Sequence, residues 1–191
     1  LPAGRLREPE KGKERADMVI ITKCPRDLKP MEYRVLTKAM NLRPYQDLFF
    51  TTIDYESLCP ILDTKEGKKE IETNDNVLML TGIASPQQME QDIAPLCKSL
   101  TALNFSDHHH FRQRDIERIN EAFNDIPEPR IVVTTEKDAA RLKDIDGLSD
   151  DVRQNIFVLP VNIKFMLGQE ETFNNKILSY VQKNSRNSIL V

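Results

Sequence analysis

Between Val77 and Lys143 the chain reads strand-then-helix three times in series, and this alternation limits the fold more than any other feature of its 191 residues. Val77-Leu78-Met79-Leu80-Thr81 is a continuous apolar run that enters Gly82, and Ser85-Pro86-Gln87-Gln88 then opens a helix. Ser85 is expected to cap that helix, with Pro86 in its first turn and Gln88 completing an S-x-x-Q box. Pro95 ends or kinks it. Thr101–Phe105 is the second strand, followed by a helix over 114–123 with Ile116, Ile119 and Phe123 on one face. Arg130-Ile131-Val132-Val133-Thr134 is the third, running through Thr135 into a helix over 136–143. A fourth strand is read at Ile156–Leu159, and Phe173, Ile177, Leu178 and Val181 line a final helix. Such alternation implies an α/β fold with a mainly parallel sheet and right-handed crossovers.

The first part of the chain is less regular. Leu1–Arg15 carries two prolines and two glycines among basic and acidic side chains and reads as a loop or a short irregular helix. Met18–Thr22 is a short β-branched strand, and Met31, Val35, Leu36 and Met40 fall at helical spacing over about 30–41. From Asp47 to Leu62 the pattern is extended, and Glu66-Gly67-Lys68-Lys69-Glu70 reads as a solvated turn. Two extended limbs around a turn predict a ribbon that joins two lobes.

Composition removes several classes of function. Lys and Arg number 27 against 30 Asp and Glu, a net charge of −3, which argues against binding driven by phosphate neutralisation and so against a nucleic-acid partner. No window approaches the roughly 20 apolar residues of a membrane span. Cys24, Cys59 and Cys97 lie far apart and are odd in number, so they are read as reduced thiols of a cytosolic protein. None of the six glycines lies in G-x-x-x-x-G-K-[ST] or G-x-G-x-x-G, so the chain has no standard cradle for a nucleotide triphosphate. It begins at Leu1 without Met, and is read as a processed chain or a piece of a longer one.

In an open α/β sheet, ligands gather at the carboxyl ends of the strands. Three polar segments are expected there: Thr81–Ser85, Ser106–His110 and Thr134–Asp138. The three histidines, His108, His109 and His110, are consecutive, and consecutive side chains diverge, so no metal site is assigned. Two readings of the run stand side by side. In one they are solvated loop histidines, with Asp107 capping the next helix. In the other His108 is a working acid–base group, and Asp107 holds its imidazole in one tautomer. Thr135-Glu136-Lys137-Asp138 is explained by helix capping and dipole compensation except at Lys137.

Taken in order, Leu1-Pro2-Ala3-Gly4-Arg5-Leu6-Arg7-Glu8-Pro9, Thr81-Gly82-Ile83-Ala84, Phe105-Ser106-Asp107-His108 and Thr135-Glu136-Lys137-Asp138-Ala139 resemble the tetraacyldisaccharide 4'-kinases, the lipid A 4'-kinases of Gram-negative bacteria. So does Arg15-Ala16-Asp17 followed by a strand and Thr22-Lys23. The resemblance covers the C-terminal part of that family. It implies a P-loop-kinase-like three-layer α/β/α fold, with residues 1–46 a remnant of the P-loop lobe, 47–76 a two-stranded linker and 77–191 a smaller α/β lobe. The Walker A part would lie upstream of Leu1. If 1–46 belongs to that lobe's sheet, Met18–Thr22 is an exposed edge.

The implied reaction moves the γ-phosphoryl of ATP, with Mg²⁺, to the 4'-hydroxyl of a tetraacylated disaccharide 1-phosphate. By position in the motifs, His108 matches the active-site histidine, and Arg7 and Glu8 match a segment near metal and phosphates. The implied partners are ATP, the lipid A precursor and the inner-membrane surface, on its cytoplasmic face and through the upstream lobe. The chain by itself is expected to be inactive. The competing expectation is a non-catalytic metal- or sugar-binding α/β module.

Overall fold

The computed structural model describes residues 9–61, 67 and 69–187. In chain order the elements are β1 (Met18–Ile21), α1 (Pro30–Met40), β2 (Asp47–Tyr55), β3 (Cys59–Pro60), β4 (Asn76–Thr81), α2 (Gln87–Ile93) and β5 (Ser99–Asn104). There follow α3 (Gln113–Asn124), β6 (Arg130–Thr134), α4 (Glu136–Leu142), α5 (Asp150–Asn155), β7 (Ile156–Val158), β8 (Val161–Phe165) and α6 (Glu170–Asn187). They form two units. One is the uninterrupted run Tyr55–Val161, and the other combines the chain up to Asp54 with the chain from Asn162.

The uninterrupted unit holds a five-stranded sheet in the order β3-β7-β6-β4-β5. β4 pairs in parallel with β5 and β6, β6 with β7, and only the two-residue β3 runs antiparallel. Every residue of β4 is buried, which explains why its sequence is an unbroken apolar run rather than an alternation. Its side chains still divide by face. Leu78 and Leu80 join Val132, Leu103, Ile116, Ile119 and Phe123 on one side. Val77 and Met79 join Ile131, Val133, Met89, Ile93 and Phe157 on the other. Helices therefore cover both faces, α3 on one side and α2 on the other, giving the expected three layers.

The start of α2 differs from expectation and its end agrees with it. Ser85 makes no cap to α2; Pro86 occupies the cap position, and its carbonyl accepts from Glu90 N at 3.0 Å. Pro95 sits in a 3₁₀ turn, Ala94–Leu96, where the helix ends. The end of α3 is closed by Arg130, whose Nη1 donates to the carbonyls of Phe123, Asn124 and Ile126, each at 3.1 Å. Its Nη2 meets Asp151 at 2.7 Å, and the guanidinium carbon lies 4.7 Å from the Phe123 ring centre.

In the other unit, β1, β2 and β8 form a three-stranded sheet in that order, with β1 parallel to β2 from Met18 opposite Asp47 to Ile21 opposite Phe50. β1 is thus an edge strand, and Ile20 is 40% exposed. Phe49 is buried against the edges of Phe165 and Phe173, and Phe50 meets Tyr33 edge-on at 4.9 Å. Phe173 is the anchor of α6; Leu178 and Val181, expected beside it, are more than half exposed. β8 escaped the sequence reading because Val161 and Ile163 are themselves exposed, so no buried run marks it.

The stretch 47–76, expected as a two-stranded linker, contributes β2 to one unit and β3 to the other, and its two limbs meet in an antiparallel bridge between Leu58 and Lys69. The units divide after Asp54 and Val161, not after 46 and 76 as the sequence pattern predicts. The reason lies in β2, whose register with β1 commits residues 47–54 to the sheet that also takes β8. Within the uninterrupted unit, Glu56 N donates to Pro160 O at 3.1 Å, tying its two ends together.

Candidate active site

Parallel register aligns the carboxyl ends of three strands: Leu80 stands opposite Leu103 on β5 and Thr134 on β6. The three polar segments read from the sequence consequently meet at one edge of the five-stranded sheet.

Gly82, which follows β4, is the tightest point. A Cβ there would lie 3.0 Å from Asp138 Oδ1, 3.4 Å from the Ser106 carbonyl oxygen and 3.5 Å from His109 Cβ. The Gly82 amide donates to Asp138 Oδ2 at 2.9 Å. Asp138 is fully buried, accepts a second bond from Thr135 Oγ1 at 2.7 Å and pairs with Arg141 at 3.3 Å. Thr135 caps α4 as expected, its Oγ1 accepting from Asp138 N at 3.2 Å. Asp138 does not act as a solvated charge against the helix dipole; its carboxylate is the fastener between the loop after β4 and the first turn of α4. Hydrogen bonds from three donors make up for its burial.

After β5 the chain turns sharply. His108 takes a left-handed backbone, φ +59°, uncommon for a side chain of its size. Its imidazole is 72% exposed and stands at the rim. His108 Nε2 is 3.6 Å from Asp107 Oδ2, and Nδ1 is 3.4 Å from Arg141 Nη2. A guanidinium only donates, so in this contact Nδ1 carries the lone pair and Nε2 the proton, facing Asp107. Asp107 in turn accepts from Lys137 Nζ at 3.1 Å and from the His108 amide at 3.0 Å. The bond from Lys137 is the main reason its carboxyl is held below the usual carboxylate range. Asp107 does not cap α3; Asp115 does, accepting from Arg112 N at 2.9 Å. Lys137, the one residue that capping left unexplained, is the partner that holds Asp107.

The histidine run separates into three environments. His110 is exposed. His109 turns inward: its ring stacks on Phe105 at 4.8 Å, meets the edge of Phe111 at 5.3 Å and bonds Asp115 through Nε2 at 2.9 Å. Nothing in the spacing set His109 apart from its neighbours; the signal was the bracket of Phe105 and Phe111 with an acidic residue at 115. Among the described residues no three His, Cys, Asp or Glu side chains are grouped to hold a metal ion. Arg7 and Glu8 lie outside the described residues.

The rim therefore presents an exposed imidazole with the Asp107 carboxylate on one nitrogen and the Arg141 cation on the other, together with Lys137. Such a group can exchange a proton with a hydroxyl, and the neighbouring cations favour an anionic substrate.

A family model described as Tetraacyldisaccharide-1-P 4'-kinase matches residues 1–182. The chain is 48% identical to the Tetraacyldisaccharide 4'-kinase of Phocaeicola vulgatus over 191 residues, which cover 98% of this chain and 52% of that relative. It is 41% identical to the same-named protein of Bacteroides thetaiotaomicron over 198 residues, again 98% and 52%. It therefore spans about half the length of the curated relatives it matches. Among solved structures, LpxK from Aquifex aeolicus in complex with ATP aligns with a TM-score of 0.52 at 22% identity, over 94% of this chain and 47% of that one. That likeness is one of fold.

Proposed function

The chain belongs to the tetraacyldisaccharide-1-P 4'-kinase family, and we propose that it forms part of an enzyme that moves the γ-phosphoryl of ATP to the 4'-hydroxyl of a tetraacyldisaccharide 1-phosphate in lipid A biosynthesis. In this reading the chain supplies the proton-handling side of the site. The observation that carries it is His108, exposed at the sheet edge and flanked by Asp107 at 3.6 Å and Arg141 at 3.4 Å.

The sugar hydroxyl enters at the imidazole, displaces Arg141 from Nδ1 and gives its proton to that nitrogen as its oxygen bonds to the γ-phosphorus, whose bond to the β–γ bridging oxygen breaks to release ADP. Asp107, held by Lys137, faces the Nε2 proton and stabilises the imidazolium that forms. Arg141, once displaced, stays beside the transferring phosphoryl as a fixed cation. ATP with Mg²⁺ supplies the phosphoryl group and the charge compensation it needs. Arg7 and Glu8 are assigned to that region, with the unit that combines the chain up to Asp54 and the chain from Asn162 counted to the nucleotide-binding lobe and Tyr55–Val161 to the smaller lobe. The reaction takes place at the cytoplasmic face of the inner membrane, where the lipid is reached from its surface; no helix among the described residues is long and apolar enough to cross a membrane.

His108→Ala in the complete enzyme tests the reading. Turnover is expected to fall by about 100- to 10,000-fold, the usual worth of a positioned acid–base group. Because the ring is so exposed, stability should change by less than about 0.5 kcal/mol. Turnover that stays close to wild type removes His108 from the mechanism. The 191-residue chain assayed alone is expected to transfer no phosphate, since phosphoryl transfer depends on positioning and charge compensation that a base does not supply.

A further inference from the structure

His108 is poorly held by its own side chain. Its ring contacts, 3.6 Å to Asp107 and 3.4 Å to Arg141, are long, and the ring is mostly in solvent. Yet its backbone is fixed in a left-handed turn. Something adjacent must hold it.

That something is the next residue. The His109 side chain is 23% exposed and its partner Asp115 13%. An ionised carboxylate only accepts, so His109 Nε2 carries the proton and donates it to Asp115 Oδ2 at 2.9 Å. The same oxygen accepts the Arg112 amide in the first turn of α3. The bond from His109 is the largest reason the Asp115 carboxyl sits below the usual range. Phe105 stacks on one face of the imidazole, Phe111 closes its edge, and Arg118 covers Phe105 from 5.5 Å. The His109 amide completes the turn by donating to the Ser106 carbonyl at 3.1 Å.

We propose that the His109–Asp115 pair is a positioning device: it clamps the segment 106–111 onto the start of α3 and thereby sets where the His108 imidazole stands. Its catalytic consequence rests on the proton-transfer role proposed for His108. The clamp itself does not. A loop hinged at a left-handed residue and fastened on one side swings as a unit when the fastening is cut, and a displacement of the order of an ångström is enough to matter in a phosphoryl-transfer site.

The test uses the complete enzyme with His109→Phe, which keeps the aromatic stack and deletes the N–H, and Asp115→Asn, which keeps an oxygen for the Arg112 amide. Each is expected to lower kcat by about tenfold or more, up to the hundredfold that misplacement can cost, with KM for ATP and lipid within about twofold. Amide hydrogen exchange at 107–110 should quicken at least about tenfold while the amides of β4 and β6 keep their protection. If His109→Phe loses protection in β4 and β6 as well, Asp115→Asn carries the test. Unchanged exchange at 107–110 overturns the clamp whatever the activity. Faster exchange with wild-type kcat, in an enzyme that His108→Ala inactivates, overturns the positioning role. Should His108→Ala prove harmless, the proton-transfer role proposed for His108 fails, and the exchange data still decide the clamp.

Discussion

Asp138, without exposed surface, accepts the amide proton of Gly82 at 2.9 Å and so fastens the loop after β4 to the first turn of α4. Glycine is required on one side of this contact and a carboxylate on the other. Gly82→Ala would push a methyl group to 3.0 Å from Asp138 Oδ1, with the Ser106 carbonyl behind it. It is expected to destabilise the protein by about 1–3 kcal/mol, as overpacking does elsewhere. Asp138→Ala leaves the Gly82 amide buried without an acceptor, a cost of about 1–3 kcal/mol before any loss of packing. Urea unfolding checks both, and midpoints equal to wild type would refute the fastening.

Arg130 closes the end of α3 with three carbonyl contacts from a single nitrogen. Arg130→Met is expected to cost about 1.5–3 kcal/mol, the range for hydrogen bonds to a charged group. Arg130→Lys should recover only part of it, because one ammonium cannot reproduce the planar fork that also reaches Asp151. A lysine variant as stable as wild type would mean that charge alone suffices.

Much of the five-stranded unit was legible in the sequence. β4 and β6 are apolar runs because both sheet faces are covered, and Ile116, Ile119 and Phe123 fall on one helical face because α3 packs against only one of them. The sites were legible as segments but not as bonds. Thr135-x-x-Asp138 looks the same in sequence whether its acid is solvated or buried; only the approach of Gly82 from another strand decides it. Likewise His109 and Asp115 are six residues apart, and their meeting depends on the left-handed turn at His108, which three consecutive histidines do not single out. β8 and α6 were harder, since their apolar residues lie largely at the surface and burial patterning loses its meaning there.

Acid should weaken the fold through Asp115. Its carboxyl is held below its ordinary value, by the His109 bond first and the Arg112 amide second. The folded state therefore binds that proton less readily than the unfolded chain, so stability is fully present above the unfolded value, near 3.9, and is lost as pH falls through the folded one. Asp107, lowered mainly by Lys137, acts in the same direction. Thermal unfolding between neutral pH and about pH 2 should show the decline, with a shallower acid limb in Asp115→Asn. An identical limb in that variant would sink the assignment.

Zinc should leave the protein indifferent. His109 is committed to Asp115 and the aromatic rings, which breaks up the histidine run as a ligand set. A bound structural ion would raise the melting temperature with its concentration by mass action. A concentration-dependent rise abolished by His108→Ala and His110→Ala would restore the metal-binding module as the better account.

The interleaving of the two units bears on how the chain comes off the ribosome. Everything needed for the five-stranded sheet is contiguous, and Glu56 and Pro160 join its ends. The three-stranded sheet, by contrast, has β1 and β2 in hand early and lacks β8 until translation has passed residue 165. For roughly ten seconds at ordinary elongation rates, Phe49 has neither Phe165 nor Phe173 to cover it. The later unit is thus the one that a nascent-chain chaperone would be called on to shield.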